Sequence, residues 1–177
     1  LGDYIYEDID GNKKIDGKDM LRSDLNTIPQ IVFGLTGNFQ YKNFDLAVLF
    51  QGPARARFHY TPLQAPLEGN ITEEMATQSW TLDRQDAKYG RINSTNNRKE
   101  STIWLRNASF LRLKNVELGY NFSGKVLKGA GIKGLRLYIG GYNLFTISGL
   151  KELDPETNNT ATYPLMRVFN TGVKVTF

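Results

Sequence analysis

Residues 8–19 hold the chain's clearest set of metal-ligand oxygens. Asp8, Asp10, Asn12, Asp16 and Asp19 fall at positions 1, 3, 5, 9 and 12 of a calcium-binding loop, with the Lys14 carbonyl at position 7 and Ile15 at the apolar position 8. Calcium takes roughly six to eight oxygens at once, and this spacing aims alternate side chains at one centre. Two positions depart from the pattern. Position 6 is Lys13, where the sharp turn favours Gly, and position 12 is Asp in place of a bidentate Glu. Gly11 is placed to absorb part of that turn. The competing reading is a polar surface loop whose Asp, Asn and Gly merely suit turns, and the two lysines inside it count toward that reading. A calcium ion held by Asp8, Asp10, Asn12, Lys14, Asp16 and Asp19 is expected to stiffen the loop rather than to catalyse anything.

No other grouping promises chemistry, and no catalytic residue is expected. His59 is the single histidine, so a histidine-pair metal site is excluded and a general base would lack an orienting partner. Glu73 and Glu74 lie in a short helical stretch, Thr72–Trp80, where Thr72 suits the N-cap and acids favour the first turn. Asp83, Asp86 and Asp154 have no spacing that fixes a glycosidase carboxylate pair. Gly129, Gly131 and Gly134 precede a strand rather than a helix, so they read as a turn and not as a dinucleotide cradle. Trp80, Trp104, Tyr60, Tyr89 and Tyr163 suit packing or interfacial anchoring, with stacking on sugar rings as the alternative.

Composition narrows the class. The 177 residues suffice for one sizeable core, and ten Phe, nine Tyr and 17 Gly favour strands and turns over a helical bundle. No apolar run reaches the 18 or so residues of a membrane-spanning helix, which excludes helical membrane proteins but not β-barrels. Zero cysteines remove disulfides and thiolate sites. The net charge of +4 is scattered rather than striped, so nucleic acid is not an expected partner. The first residue is Leu1, with no signal segment, and the chain is expected to be a piece of a longer polypeptide.

The elements follow from period-2 alternation. Ile31–Tyr41 sets Ile31, Phe33, Leu35, Phe39 and Tyr41 against Val32, Thr36, Asn38 and Gln40. Phe44, Leu46, Val48 and Phe50 continue the pattern after only Lys42 and Asn43, a hairpin-length link. A third strand covers about Phe110–Phe122. In its first half Leu111 and Leu113 take the wrong parity while Arg112 and Lys114 sit on the apolar one; a bulge or a change of environment accounts for this. The fourth and fifth strands run about Gly134–Ile147 and Arg167–Phe177. Links of two residues, then about Pro53–Ser109, then Ser123–Lys133, then Ser148–Pro164 alternate short and long. Outer-membrane barrels alternate tight periplasmic turns and long extracellular loops in this way. On that reading Leu1–Pro29, Pro53–Ser109 and Ser148–Pro164 lie outside the cell.

The final residues add a separate signal. Asn170, Gly172, Val175 and a terminal aromatic, Phe177, match the pattern by which barrels are recognised for assembly; the alternative is an ordinary edge strand.

Several patches in series carry a family resemblance. FQYKNFDLAVLFQG, SFLRLKNVELGYNF, LRLYIGGYNLFTIS, the Asp154–Pro155 step and the closing GVKVTF resemble the C-terminal barrel of the SusC/RagA family of TonB-linked outer-membrane proteins of Bacteroidota. DIDGNKKIDGKD also fits, while Pro53 after FQG departs from the pattern. The resemblance implies an all-β fold: about five strands of an antiparallel transmembrane barrel of about 22. Residues 1–29 would be an extracellular loop and 30–177 the barrel segment, with a long extracellular loop at about 53–108. It implies an importer of oligosaccharides or peptides, capped by a SusD-like lipoprotein and driven by the TonB complex. Plug and TonB-contacting parts would lie outside this stretch. Further expected partners are the remainder of the barrel, outer-membrane lipid and a glycan or peptide substrate. The other readings are a passive porin and a soluble calcium-dependent carbohydrate-binding β-domain.

Overall fold

The structure is a computed structural model that describes residues 1–60, 71–122, 131–151, 153–157 and 162–177. Strands form where the alternation places them: β1 Ile31–Tyr41, β2 Phe44–Ala54, β3 Arg57–His59, β4 Leu105–Asn107, β5 Phe110–Asn121, β6 Gly134–Ser148 and β7 Val168–Thr176. Five of them make one antiparallel sheet in the order β1-β2-β5-β6-β7, and β3 pairs with β4. Pro53 closes β2 opposite Val32 instead of opening the long link. That link is not structureless either. It contains β3, a one-and-a-half-turn helix α1 (Glu73–Gln78) and β4, as a link of this length in a compact chain should.

Register turns the period of two into two faces. Tyr41, Phe44, Tyr120, Leu137 and Val173 are partners across all five strands, and the neighbouring row reads Gln40, Asp45, Gly119, Tyr138 and Gly172. The first row belongs to an apolar face whose large side chains stand in the open, with Phe39 62%, Ile139 60% and Phe169 76% exposed. The second belongs to a face where charged groups find one another. Lys42 takes φ 52 in the two-residue β1–β2 turn, and Asn121 N–H donates to the Asn43 carbonyl at 2.8 Å, tying that turn to β5. Gly52 is required at its place, because a Cβ there would lie 1.9 Å from the Phe110 carbonyl oxygen.

The broken parity in the third strand is a β-bulge. Leu49 faces Asn115 and Phe50 faces Leu113, so Lys114 is the extra residue; β6 skips from Tyr142 to Phe145 at the same level. One inserted residue reverses the phase. Leu111 and Leu113 thereby join Phe50, Phe145 and Ile147 on the apolar face, and Arg112 moves to the polar one.

The chain divides into two compact units, Leu1–Thr27 with Arg57–Arg106, and Ile28–Ala56 with Asn107–Phe177. The second is the sheet. The first has its own core of Phe58, Tyr60, Met75, Tyr89 and Trp104, all buried. Asn97 organises it: its side-chain amide donates to the Gly2 and Arg91 carbonyls and its oxygen accepts from Tyr4 N–H at 2.7 Å. A buried amide with its partners satisfied fixes one packing of the two strand-poor segments it joins. Trp104 Nε1 donates to the Lys99 carbonyl at 3.0 Å, so the largest core residue keeps its polar atom paired.

Candidate functional site

The Asp8–Asp19 loop folds on its own side chains. Asp8 accepts from the N–H groups of Gly11 at 2.8 Å, Asn12 at 3.2 Å and Lys13 at 2.6 Å. Lys13 adopts φ 64, so the position where the pattern wants Gly does take the left-handed turn, and Gly11 takes a second at φ 73. Asp19 accepts from Ile9 N–H and Asp16 N–H, both at 2.8 Å. The backbone N–H of Asp16, then that of Ile9, hold the Asp19 carboxyl below the usual carboxylate range. Carboxylate oxygens of Asp8, Asp10 and Asp19 lie within 4.8 Å of one another. Asn12 is adjacent, its amide donating to Asp10 at 2.9 Å and its oxygen accepting from Lys14 N–H at 2.7 Å. Asp16 is turned elsewhere: it caps the 3-10 turn Gly17–Asp19 by accepting from Lys18 N–H at 2.8 Å. Three hard oxygens on one centre suit a calcium-sized cation in donor type. They supply a partial shell, with the Asp16 carboxylate not placed among them.

The polar face of the sheet carries two ion-pair clusters, one toward each end of the strands. Near the Lys42–Asn43 turn, Arg136 pairs with Asp45 and donates to Glu117 at 2.8 Å, while Asn121 donates to Asp45 at 2.7 Å. The guanidinium lies over Gly119, which has no side chain to displace it, and 5.2 Å from the Tyr138 ring. Toward the other end, Arg112 spreads its nitrogens over three acceptors: Thr146 Oγ1 at 2.9 Å, Glu156 Oε2 at 2.9 Å and Asp154 Oδ1 at 2.7 Å. Lys114 takes the second Glu156 oxygen at 2.6 Å. The side chains of Arg112 and Asp154 are 3% and 8% exposed. Burial opposes ionisation of Asp154, but the Glu156 N–H and the Arg112 guanidinium outweigh it and hold its carboxyl below the usual range.

Of the other residues the sequence marks, most are structural. Thr72 caps α1 by accepting from Met75 N–H at 3.2 Å, and Glu74 pairs with Lys88. His59 is not a bare surface residue: its Nε2 lies 3.0 Å from Glu100 Oε2. Tyr60, Tyr89 and Trp104 are core, which closes the sugar-stacking reading for those three, and Tyr163 is 91% exposed. Gly131 takes φ 66 ahead of β6 as a turn residue, while Gly129 lies outside the described residues. On β7, Asn170 packs over Gly140 and Gly172 lies under Tyr138 on the polar face; Val175 is on the apolar face and Phe177 is exposed beyond the strand. Arg112 and its acid partners were not marked as a site. Their signal was the broken parity at Arg112 and Lys114.

No protein-family profile matches the chain. It is 28% identical over 99% of its length to the TonB-dependent receptor P3 of Formosa agariphila, and 28% identical over 98% to the TonB-dependent receptor SusC of Bacteroides thetaiotaomicron. Those matches span 19% and 17% of the two relatives' own lengths. Among solved structures, a chain of the RagAB peptide importer in its closed-closed state superposes with a TM-score of 0.77 and 26% identity, over 96% of this chain and 20% of that one. The chain is thus a stretch of antiparallel sheet resembling the SusC/RagA kind of TonB-dependent β-barrel transporter, and it spans about a fifth of such a protein.

Proposed function

We propose that the chain is a wall segment of a TonB-dependent outer-membrane importer, with its apolar face against lipid and its charged face toward the lumen. The observation that carries this is the inverted sheet: a five-strand apolar surface lies open while arginine and carboxylates pair on the opposite side. A soluble sheet buries such a face; a barrel wall presents it to hydrocarbon. Tyr41, Phe44, Tyr120 and Phe122 cluster at the β1–β2 turn end, with Phe44 and Tyr120 ring centroids 4.8 Å apart, as an aromatic girdle at a membrane interface would. On this reading the longer links face outward and the Lys42–Asn43 turn faces the periplasm. The remainder of a barrel of about 22 strands closes on the β1 and β7 edges. The cargo is an oligosaccharide or a peptide. A SusD-like lipoprotein and the TonB complex are the partners, and the chain is no enzyme. The peptide importer among the solved structures it resembles supports the peptide class.

The test is to delete the complete gene and follow uptake of defined oligosaccharides and oligopeptides, with and without TonB. Uptake that needs both gene and TonB supports the importer. Uptake that needs the gene but not TonB makes it a porin. Residues 1–177 folding alone in water as a cooperative monomer would instead indicate the soluble carbohydrate-binding domain.

We also propose that calcium binds at Asp8, Asp10 and Asp19, with Asn12, Lys14 and Asp16 completing the shell on binding. The ion would stiffen the loop and supply no chemistry. Calcium at 100 times its Kd raises stability by about 2.7 kcal/mol. Calorimetry of the Asp8→Asn and Asp19→Asn variants should show that gain vanish, and an unchanged titration would remove the site.

A further inference from the structure

The inserted residue in β5 has a consequence for the β6–β7 connection. Without Lys114 as a bulge, Arg112 would share the parity of Val116 and Leu118 and project from the apolar face. With it, the guanidinium lies on the polar face, nearly sealed from solvent, with all three nitrogens engaged. Two of the three acceptors belong to the β6–β7 connection rather than to a strand. Asp154 is the hub. Its Oδ1 accepts from Glu156 N–H at 2.9 Å, its Oδ2 accepts from Leu165 N–H at 3.2 Å, and its carbonyl accepts from the Thr157 hydroxyl at 3.1 Å. One carboxylate therefore joins β5, the outgoing limb of the connection and the returning limb ahead of β7. A second tie runs beside it, from the Asn143 amide in β6 to the Met166 carbonyl at 3.3 Å. Leu150 is buried at the start of the same connection, and its N–H donates to Ser148 Oγ at 3.0 Å.

We propose that Arg112 is a positioning residue that latches the β6–β7 connection onto the polar face of the sheet. Residues 154–157 and 165–166, on its two limbs, then form a fixed stop at that end of the strands. The bulge at Lys114 exists to deliver this arginine to the correct side. Charged hydrogen bonds in a nearly dry setting are the strong kind, and the planar guanidinium suits two carboxylates at once where a lysine would serve only one. Breaking one partner strands the others without solvent, so the latch gives way as a unit. The geometry stands without the importer reading; only the meaning of a fixed stop for cargo rests on it.

The test is amide hydrogen exchange on the full-length protein in outer-membrane vesicles. The wild type should protect the Glu156 and Leu165 amides. Asp154→Asn and Arg112→Met should each speed exchange at both by tenfold or more, while the amides of β2 and β6 near Asp45 and Gly140 keep their rates. Arg112→Lys, which can still hold one carboxylate, should keep part of the protection that Arg112→Met loses, which a loss of mere packing would not explain. Asp154→Asn preserves shape and carries the test should Arg112→Met not assemble. Unchanged exchange in an assembled Asp154→Asn protein overturns the proposal. Failure of both single variants to assemble overturns it too, because the pair would then serve the fold and not the connection. A protein that fails to import yet shows the protected amides keeps the latch and overturns only the importer reading.

Discussion

The two units of this chain obey opposite rules of burial. In Leu1–Thr27 with Arg57–Arg106, the aromatic residues Tyr60, Tyr89 and Trp104 are sealed inside, and ion pairs such as Lys88 with Glu74 and Arg91 with Asp3 sit toward solvent. In Ile28–Ala56 with Asn107–Phe177, Phe110 and Leu150 are buried, but the large side chains of the apolar face, such as Phe39, Ile139 and Phe169, are exposed, and Arg112 is buried with its charge paired. On the proposed reading the difference follows from the medium: the first unit packs an aromatic core as a fold in water does, and the sheet sets its apolar face against lipid.

Substitutions can break this contrast in order of expected effect. Trp104→Ala removes the largest core residue of the first unit and should cost about 3–5 kcal/mol. Limited proteolysis should then cut within 71–106 while the strands stay intact; equal damage to both units would mean they are not separately packed. Ile139→Arg places a charge on the apolar face and should cost about 2–4 kcal/mol if that position lies near the bilayer midplane. Heat-modifiable migration on a gel should show less assembled protein, whereas Asn38→Arg on the polar face should assemble normally.

Acid should act on the second unit through Asp154. Its folded carboxyl titrates below its unfolded value, so the stabilisation is complete above the ordinary carboxylate range near pH 4 and fades as pH falls through the lower folded value. Protease sensitivity of 149–157 should therefore rise only below about pH 4; a rise near pH 6 would assign it to another group. The smallest effect belongs to Lys88→Ala. Its half-exposed pair with Glu74 is worth about 0–1 kcal/mol, and the melting temperature should barely move.

How much of this the sequence carried differs between the units for a physical reason. A strand writes its two faces at a period of two, so β1, β6 and β7 were readable to within a residue at each end, while β2 runs about two residues further, through Pro53 to Ala54. The β5 bulge was readable as a fault in that period, though not which residue was extra, because that depends on the partners Leu49 and Phe50. The Arg112 network was not readable. Its acids lie 42 and 44 residues away, and nothing local says that they return to the same face. The first unit writes no period at all: its order comes from Asn97 bridging Gly2, Tyr4 and Arg91, a pairing over as many as 95 residues. In the loop at Asp8–Asp19 the spacing was legible and the convergence of Asp8, Asp10 and Asp19 followed it, whereas the turn of Asp16 into a cap did not.

The most direct question is whether the apolar face of the sheet meets lipid, and these 177 residues contain no cysteine that would need replacing before labelling. Single cysteines placed along β5 and β6 in the full-length protein, spin-labelled in bilayers, would report collision with oxygen dissolved in lipid against a nickel chelate in water. Lipid contact is expected at 137, 139, 145 and 147 on β6 and water contact at 136 and 138. On β5 lipid contact is expected at 116, 118 and 120, a break at 114, and lipid contact again at 111 and 113. An alternation that runs through 114 without reversing, or water contact on both faces, would contradict this reading.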